Sequence, residues 1–249
     1  MINKILYYQL IFLILPVVGL SQINSGNDVA QNTIGLGLDV GITSFFGDID
    51  EGPAQGDLIN NMAFRGSVCK NFGYWFILGG QVLVGNLSGE KKRGTGEVAN
   101  YQYFKTSFTE YSLNANIDIV ALFGKNKTPR FIFCVDFGVG VFTFKSKLFD
   151  GKDDSEITSY GYDGRSLMKP VIPVGAKIGY DITDHLSFVV QTSTRIVFSD
   201  LLDAKEGNNN RDFYNFSSAG FIYKIFVGSS RRRSGGSGRH IGTACSTFN

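Results

Sequence analysis

Residues Thr109–Ile119 read TEYSLNANIDI, and this run decides the fold. Tyr111, Leu113, Ala115, Ile117 and Ile119 occupy one set of alternate positions; Glu110, Ser112, Asn114, Asn116 and Asp118 occupy the other. A helix, advancing roughly 100° per residue, would mix the two sets. A strand sends successive side chains to opposite faces and keeps them apart. The run therefore predicts one long strand with an apolar face and a polar face.

The same period recurs along the chain. Ile34, Leu36, Leu38, Val40 and Ile42 alternate with Gly35, Gly37, Asp39, Gly41 and Thr43. Phe131, Phe133, Val135, Phe137 and Val139 alternate with Ile132, Cys134, Asp136, Gly138 and Gly140. Further runs fall at Ile172–Tyr180 and Leu186–Ile196, with weaker ones at Met62–Lys70, Phe76–Asn86 and Asn215–Val227. That predicts an all-β chain of about eight strands, the smallest number used by antiparallel up-and-down transmembrane barrels. Abundant Gly (31) and Phe (22) with only 18% charged residues fit short turns and strands better than helices.

Alternation alone does not say which face is wet. A soluble barrel turns its apolar face inward, a membrane barrel outward. The polar faces here are rich in Gly, Ser and Asn, which suits a narrow lumen more than a solvent face. The connections also alternate in length. Short ones fall near Lys70–Tyr74, Gly124–Thr128 and Asp181–His185; long ones at Gly47–Asn60, Ser88–Asn100, Leu148–Ser166 and Ser199–Asp212. Short periplasmic turns opposite long extracellular loops are the expected outer-membrane arrangement. With an even strand number both termini lie in the periplasm. Phe72, Tyr74 and Trp75 are then expected at one interface, and Phe45, Phe46, Tyr103 and Phe198 at the other.

The ends frame this barrel. Residues 1–21 carry Lys4, the apolar run Ile5–Leu20 and small residues before Gln22, the pattern of a cleaved signal peptide. Residues 22–32 form a short N-terminal segment, 33–227 the barrel, and 228–249 a basic, disordered tail. Cys69, Cys134 and Cys245 form no visible disulfide framework and no metal-type spacing.

Ser218–Ile225 (SAGFIYKI) resembles the last-strand assembly signal of bacterial outer-membrane barrels, which implies recognition by the barrel-assembly machinery during insertion. The aromatic chain end of that signal is missing, because a tail follows. Thr33–Val227 resembles the OmpA/OmpX-like small barrels. Asn100–Asp118 (NYQYFKTSFTEYSLNANID) and Ser44–Asp50 (SFFGDID) are similar to barrels of bacteria with type IX secretion, including the PorG-like components.

Asp39, Arg65, Glu110, Asp118, Asp136, Lys177 and Arg195 fall on the polar faces, with Lys224 a further candidate. Charge enclosed in a narrow lumen is tolerable only when paired and hydrogen-bonded, so opposite signs are expected to meet there as a plug; the other reading is an ion path. No catalytic residue, cofactor or metal ligand set is expected. His185 sits at a periplasmic turn and His240 in the tail, neither placed to activate a nucleophile at the outer rim. Asp48, Asp50 and Glu51, and Asp150, Asp153 and Asp154, are acidic loop clusters without a complete calcium-loop spacing, read as solvated carboxylates. Arg231, Arg232 and Arg233 are read either as a grip on a periplasmic protein partner, peptidoglycan carboxylates or lipid phosphates, or as a solvated end with no role; nucleic acid is not expected for an exported chain with a net charge of +2. The expected partner of the wall itself is outer-membrane lipid. The expected function is a non-catalytic structural or interaction barrel, in one reading the anchor of a secretion or gliding assembly. The alternative is a narrow, porin-like channel or a surface ligand-binding barrel.

Overall fold

The computed structural model describes residues 33–46, 61–72, 75–93, 100–123, 130–150, 153–161, 167–199, 201–202, 204 and 211–226. Along them run β1 (Thr33–Phe46), β2 (Met62–Asn71), β3 (Phe76–Arg93), β4 (Asn100–Asp118), α1 (Ile119–Phe123), β5 (Phe131–Asp150), β6 (Glu156–Tyr160), β7 (Leu167–Thr183), β8 (Leu186–Val197) and β9 (Asp212–Phe226). All pairings are antiparallel. β1 pairs with both β2 and β9, and β4 with β5, so eight strands close into a ring. The ninth, β6, stands outside it and pairs only with the upper end of β5 at Ser146–Phe149. "Upper" denotes here the end from which the long connections leave.

The register fixes the barrel's shape. One register line runs from Ser187 through Ile222, Gly37, Ser67, Gln81, Ser112, Gly140 and Val171 and returns to β8 at Val197, ten residues along (187 to 197). With about 3.3 Å per residue and 4.8 Å between strands, that stagger tilts eight strands by about 40°. Ten residues of such a strand rise about 25 Å, the height of the apolar band on transmembrane barrels. Closure leaves the ring no unpaired edge.

The faces are inverted relative to a soluble protein. Leu38 is 75% exposed and Phe64 60%, while Asp39 and Glu110 are 6% and 0% exposed. Leu36, Val40, Ile42, Val84, Phe137, Val139, Val174, Ile178, Val190 and Phe221 continue the apolar outer surface around the ring. Gly, Ser, Asn and the paired charges line the inside.

Several boundaries differ from the sequence reading. β3 continues to Arg93 and β4 starts at Asn100, because their pairing persists as a hairpin above the ring. β6 occupies part of the predicted Leu148–Ser166 loop. β7 runs on to Thr183, which carries Asp181 into the wall with its side chain buried inside. Ile119, read as a strand residue, begins α1; Asp118 Oδ1 accepts the Ala121 N–H at 3.0 Å and ends the strand by capping that turn. Phe45, expected at the outer interface, is only 5% exposed: alternation from Asp39 and Thr43 points it inward, against Phe104 at 4.9 Å. Phe46, the next residue, faces out.

Candidate functional site in the barrel lumen

Alternation from eight strands delivers the luminal side chains in tiers. The central tier is charged. Arg65 on β2 and Asp39 on β1 are direct register partners, and Arg65 donates to Asp39 Oδ2 from Nη2 at 2.8 Å and Nε at 3.0 Å. Across the lumen, Glu110 on β4 accepts Tyr214 Oη–H at 2.6 Å and Arg195 Nε–H at 3.3 Å on the same oxygen, Oε2. Its other oxygen, Oε1, accepts Ser112 Oγ–H at 3.2 Å and Gln81 Nε2–H at 3.4 Å, and Gln81 also donates to Ser112 Oγ at 2.9 Å. The Arg195 guanidinium additionally donates to the Ser193 carbonyl at 3.0 Å. Phe216 ties the two ion pairs together, its ring centre 5.9 Å from the Arg65 guanidinium and 5.1 Å from that of Arg195.

Lys177 on β7 donates to Asn116 Oδ1 on β4, and Asp136 on β5 lies diagonally beside it in the β5–β7 register. Asp39 Oδ1, Asn114 Oδ1 and Asp136 Oδ1 find no partner among the described residues. Asn114 borders a cavity of about 20 Å³ lined also by Arg65, Gln81, Asn116 and Lys177. That is room for a single water with several polar neighbours.

Apolar layers close the lumen on both sides of these charges. Above, Phe108, Phe142, Phe144, Tyr214, Leu83, Leu87 and Val197 form one buried cluster, with Phe108 and Phe142 stacked at 5.0 Å. Leu201 and Leu202, from the β8–β9 connection, are tied down over it: Thr106 Oγ1 donates to the Leu202 carbonyl at 2.5 Å, Ser146 Oγ to the Leu201 carbonyl at 2.8 Å, and Leu202 N–H to Asp212 Oδ2 at 3.0 Å. Below, Cys69, Ile77, Val189 and Ile222 form a thinner layer. At the bottom Asp181 Oδ1 accepts from Lys224 Nζ at 2.5 Å and Ser187 Oγ at 2.6 Å.

The structure thus places all seven sequence-selected charges, Asp39, Arg65, Glu110, Asp118, Asp136, Lys177 and Arg195, on the luminal side and buried. It pairs Arg65 with Asp39 and Arg195 with Glu110, and it gives Asp118 to the cap of α1. Sequence reasoning missed Tyr214, Gln81, Asp181 and the aromatic layer. Tyr214 and Phe216 were legible from the parity of β9, since both share alternation with Ser218 and Lys224; Asp181 was lost by ending β7 too early. Arg231, Arg232 and Arg233 lie outside the described residues, as do Asp48, Asp50 and Glu51. His185 stands at the lower rim, its Nδ1 3.1 Å from the Lys224 carbonyl oxygen and its ring beside Tyr223. Among the described residues no three His, Cys, Asp or Glu side chains converge as a metal site.

Outside the ring, β3, β4, β5 and β6 project upward as a wall. Lys147 donates to Glu156 at 2.6 Å, Tyr103 donates to Asp154 at 3.0 Å, and Tyr103 stacks on Phe149 at 5.0 Å. The Lys147 hydrogen bond, then one from Ser159, holds the Glu156 carboxyl below its ordinary pKa, and Ser155 does the same for Asp153.

No protein-family model and no curated protein matches the chain. Among solved structures it is similar to Ail, the attachment invasion locus protein of Yersinia pestis, at 11% identity over 78% of this chain and 97% of that one, with a TM-score of 0.38. A major outer membrane protein from Thermus thermophilus gives 12% identity, 77% and 99% coverage, and a TM-score of 0.43. The outer membrane protein OprG from Pseudomonas aeruginosa gives 12%, 78%, 95% and 0.40. The closed antiparallel eight-stranded barrel rests on the chain's own register and side-chain exposure.

Proposed function

We propose that this chain is a non-catalytic barrel of the bacterial outer membrane that acts as a structural and interaction scaffold. The observation that carries the reading is a filled lumen inside an apolar outer wall. In water, an uninterrupted belt such as Leu36–Leu38–Val40–Ile42 beside Phe64 and Val84 would be an aggregation surface. In hydrocarbon it is the favourable face, and closure of the ring leaves no open sheet edge facing lipid. Ion pairs, the aromatic layer and the buried Leu202 and Ala204 occupy the space a porin-like channel would need. The working surfaces are then the rims: the β3–β6 wall outside, the turns and chain ends in the periplasm. A role in a secretion or gliding assembly rests on the likeness of Asn100–Asp118 and Ser44–Asp50 to type IX-associated barrels, and partner capture by Arg231–Arg233 rests on their charge.

Two measurements test the proposal. Purified protein in a planar bilayer should give no steady single-channel current; ohmic steps would transfer the function to the narrow-channel reading. A mild-detergent pull-down from native outer membranes should then recover the same periplasmic proteins with the full chain but not with a version ending at Val227. Partners kept without the tail move the contact to the turns or loops, and a barrel that emerges alone in both forms removes the scaffold role.

A further inference from the structure

Three lysines crowd the outward face of the upper wall. Lys105 on β4 and Lys147 on β5 are direct register partners, and Lys145 occupies the next outward position on β5, diagonal to Lys105. Their direction is fixed by alternation: Phe104, Thr106, Phe144, Ser146 and Leu148 between them are buried inside. Like charges directly opposite each other across two strands destabilise the pairing, so an anion between them is favoured. Glu156 already supplies one such anion, accepting from Lys147 at 2.6 Å. Lys105 Nζ lies 5.5 Å from the Tyr103 ring centre, a contact that favours a cation without neutralising it.

The height of the cluster identifies the anion that suits it. On β5 the outward sequence is Val139, Val141, Thr143, Lys145, Lys147; on β4, read upward, it is Leu113, Tyr111, Thr109, Ser107, Lys105. Lys145 is four residues above Val141, about 10 Å along the barrel axis at the rise and tilt of these strands. The lysines therefore stand just above the apolar belt and point sideways from the barrel, not up into the medium. We propose that Lys105, Lys145 and Lys147 form a binding site for the phosphate groups of an outer-leaflet glycolipid of the lipid A type. Lysine ammoniums suit such groups as compact point charges, and a phosphate monoester carries up to two negative charges for them to share. The inference rests on the membrane reading above; a soluble anion would find this sideways face covered by lipid.

The test uses full-length protein refolded in detergent and native mass spectrometry during titration with lipid A, phosphatidylglycerol or phosphatidylethanolamine. The wild type should retain lipid A at concentrations where neither phospholipid stays bound, and less of it as salt rises. The double variant Lys105→Ala, Lys145→Ala should weaken lipid A retention at least tenfold. Arg211→Ala, which removes one cation from the exposed rim beside β9, should leave it unchanged. Only the heat-modifiable, folded fraction is compared, with Lys105→Gln, Lys145→Gln as a second pair of equal charge loss. Undiminished lipid A retention in both double variants, or equal retention of phosphatidylglycerol and lipid A by the wild type, overturns the site. A wild type that fails to insert into lipid vesicles at all overturns the membrane reading instead, so the two failures are distinguishable.

Discussion

Glu110 is a hub of the luminal hydrogen bonds, accepting from Arg195, Tyr214, Gln81 and Ser112 on four strands. Glu110→Ala leaves the Arg195 guanidinium buried without its counter-charge, which costs about 3–5 kcal/mol for a pair broken on one side. The double variant Glu110→Ala, Arg195→Leu should recover a large part of that loss in a denaturant titration of the refolded barrel. Additive losses in that cycle would show that the two side chains act independently. The glycines opposite these polar groups matter for space. A Cβ on Gly220 would lie 2.3 Å from the Leu38 carbonyl oxygen and 2.4 Å from Asp39 Oδ1. Because the nearer obstacle is backbone, Gly220→Ala should destabilise the barrel by about 1–3 kcal/mol, the range for overpacking. An unchanged unfolding midpoint would mean that β1 and β9 can separate locally at no cost.

The β5–β6 hairpin is the element whose order should depend on pH. Glu156 has a folded pKa below its ordinary value because Lys147, and then Ser159, hydrogen-bond its carboxylate. A depressed pKa contributes stability that is complete above the unfolded value, about 4.3 for glutamate, and is lost as pH falls through the lowered folded value. The Asp150 N–H donates to the Ser155 carbonyl at 2.9 Å across the same turn. Its hydrogen exchange, corrected for the intrinsic pH dependence, should lose protection in that acid window while Glu110-tier amides keep theirs. Lys147→Gln, which leaves only the Ser159 hydrogen bond, should narrow the window; a window of unchanged width in this variant assigns the titration to Asp153. Within the element, alternation made β5 legible to Val139. β6 was not, because EITSY carries no apolar face and pairs only through the register that β5 imposes above the ring.

At the scale of the whole molecule, the inverted faces predict opposite tolerances for adjacent residues. Leu38→Arg places a charge on the outer belt and should cost about 2–4 kcal/mol for folding into lipid vesicles if it sits near the midplane. A soluble barrel would accept the same change at a 75% exposed position with little effect. Alternation in the sequence determined the all-β class, the approximate strand number and the luminal side of Asp39, Arg65, Glu110, Lys177 and Arg195, because a strand's period of two is a local property of the backbone. Partnership was not local. Asp39 meets Arg65 because β1 and β2 are neighbours in register, but Glu110 reaches Arg195 across 85 positions of sequence only after a stagger of ten residues closes the ring. The same closure turned Phe45 inward onto Phe104 and folded Leu202 over the aromatic layer. Which charges pair, and that the lumen is filled, were therefore decided by the tertiary structure: they depend on shear and circumference, quantities that no single strand carries.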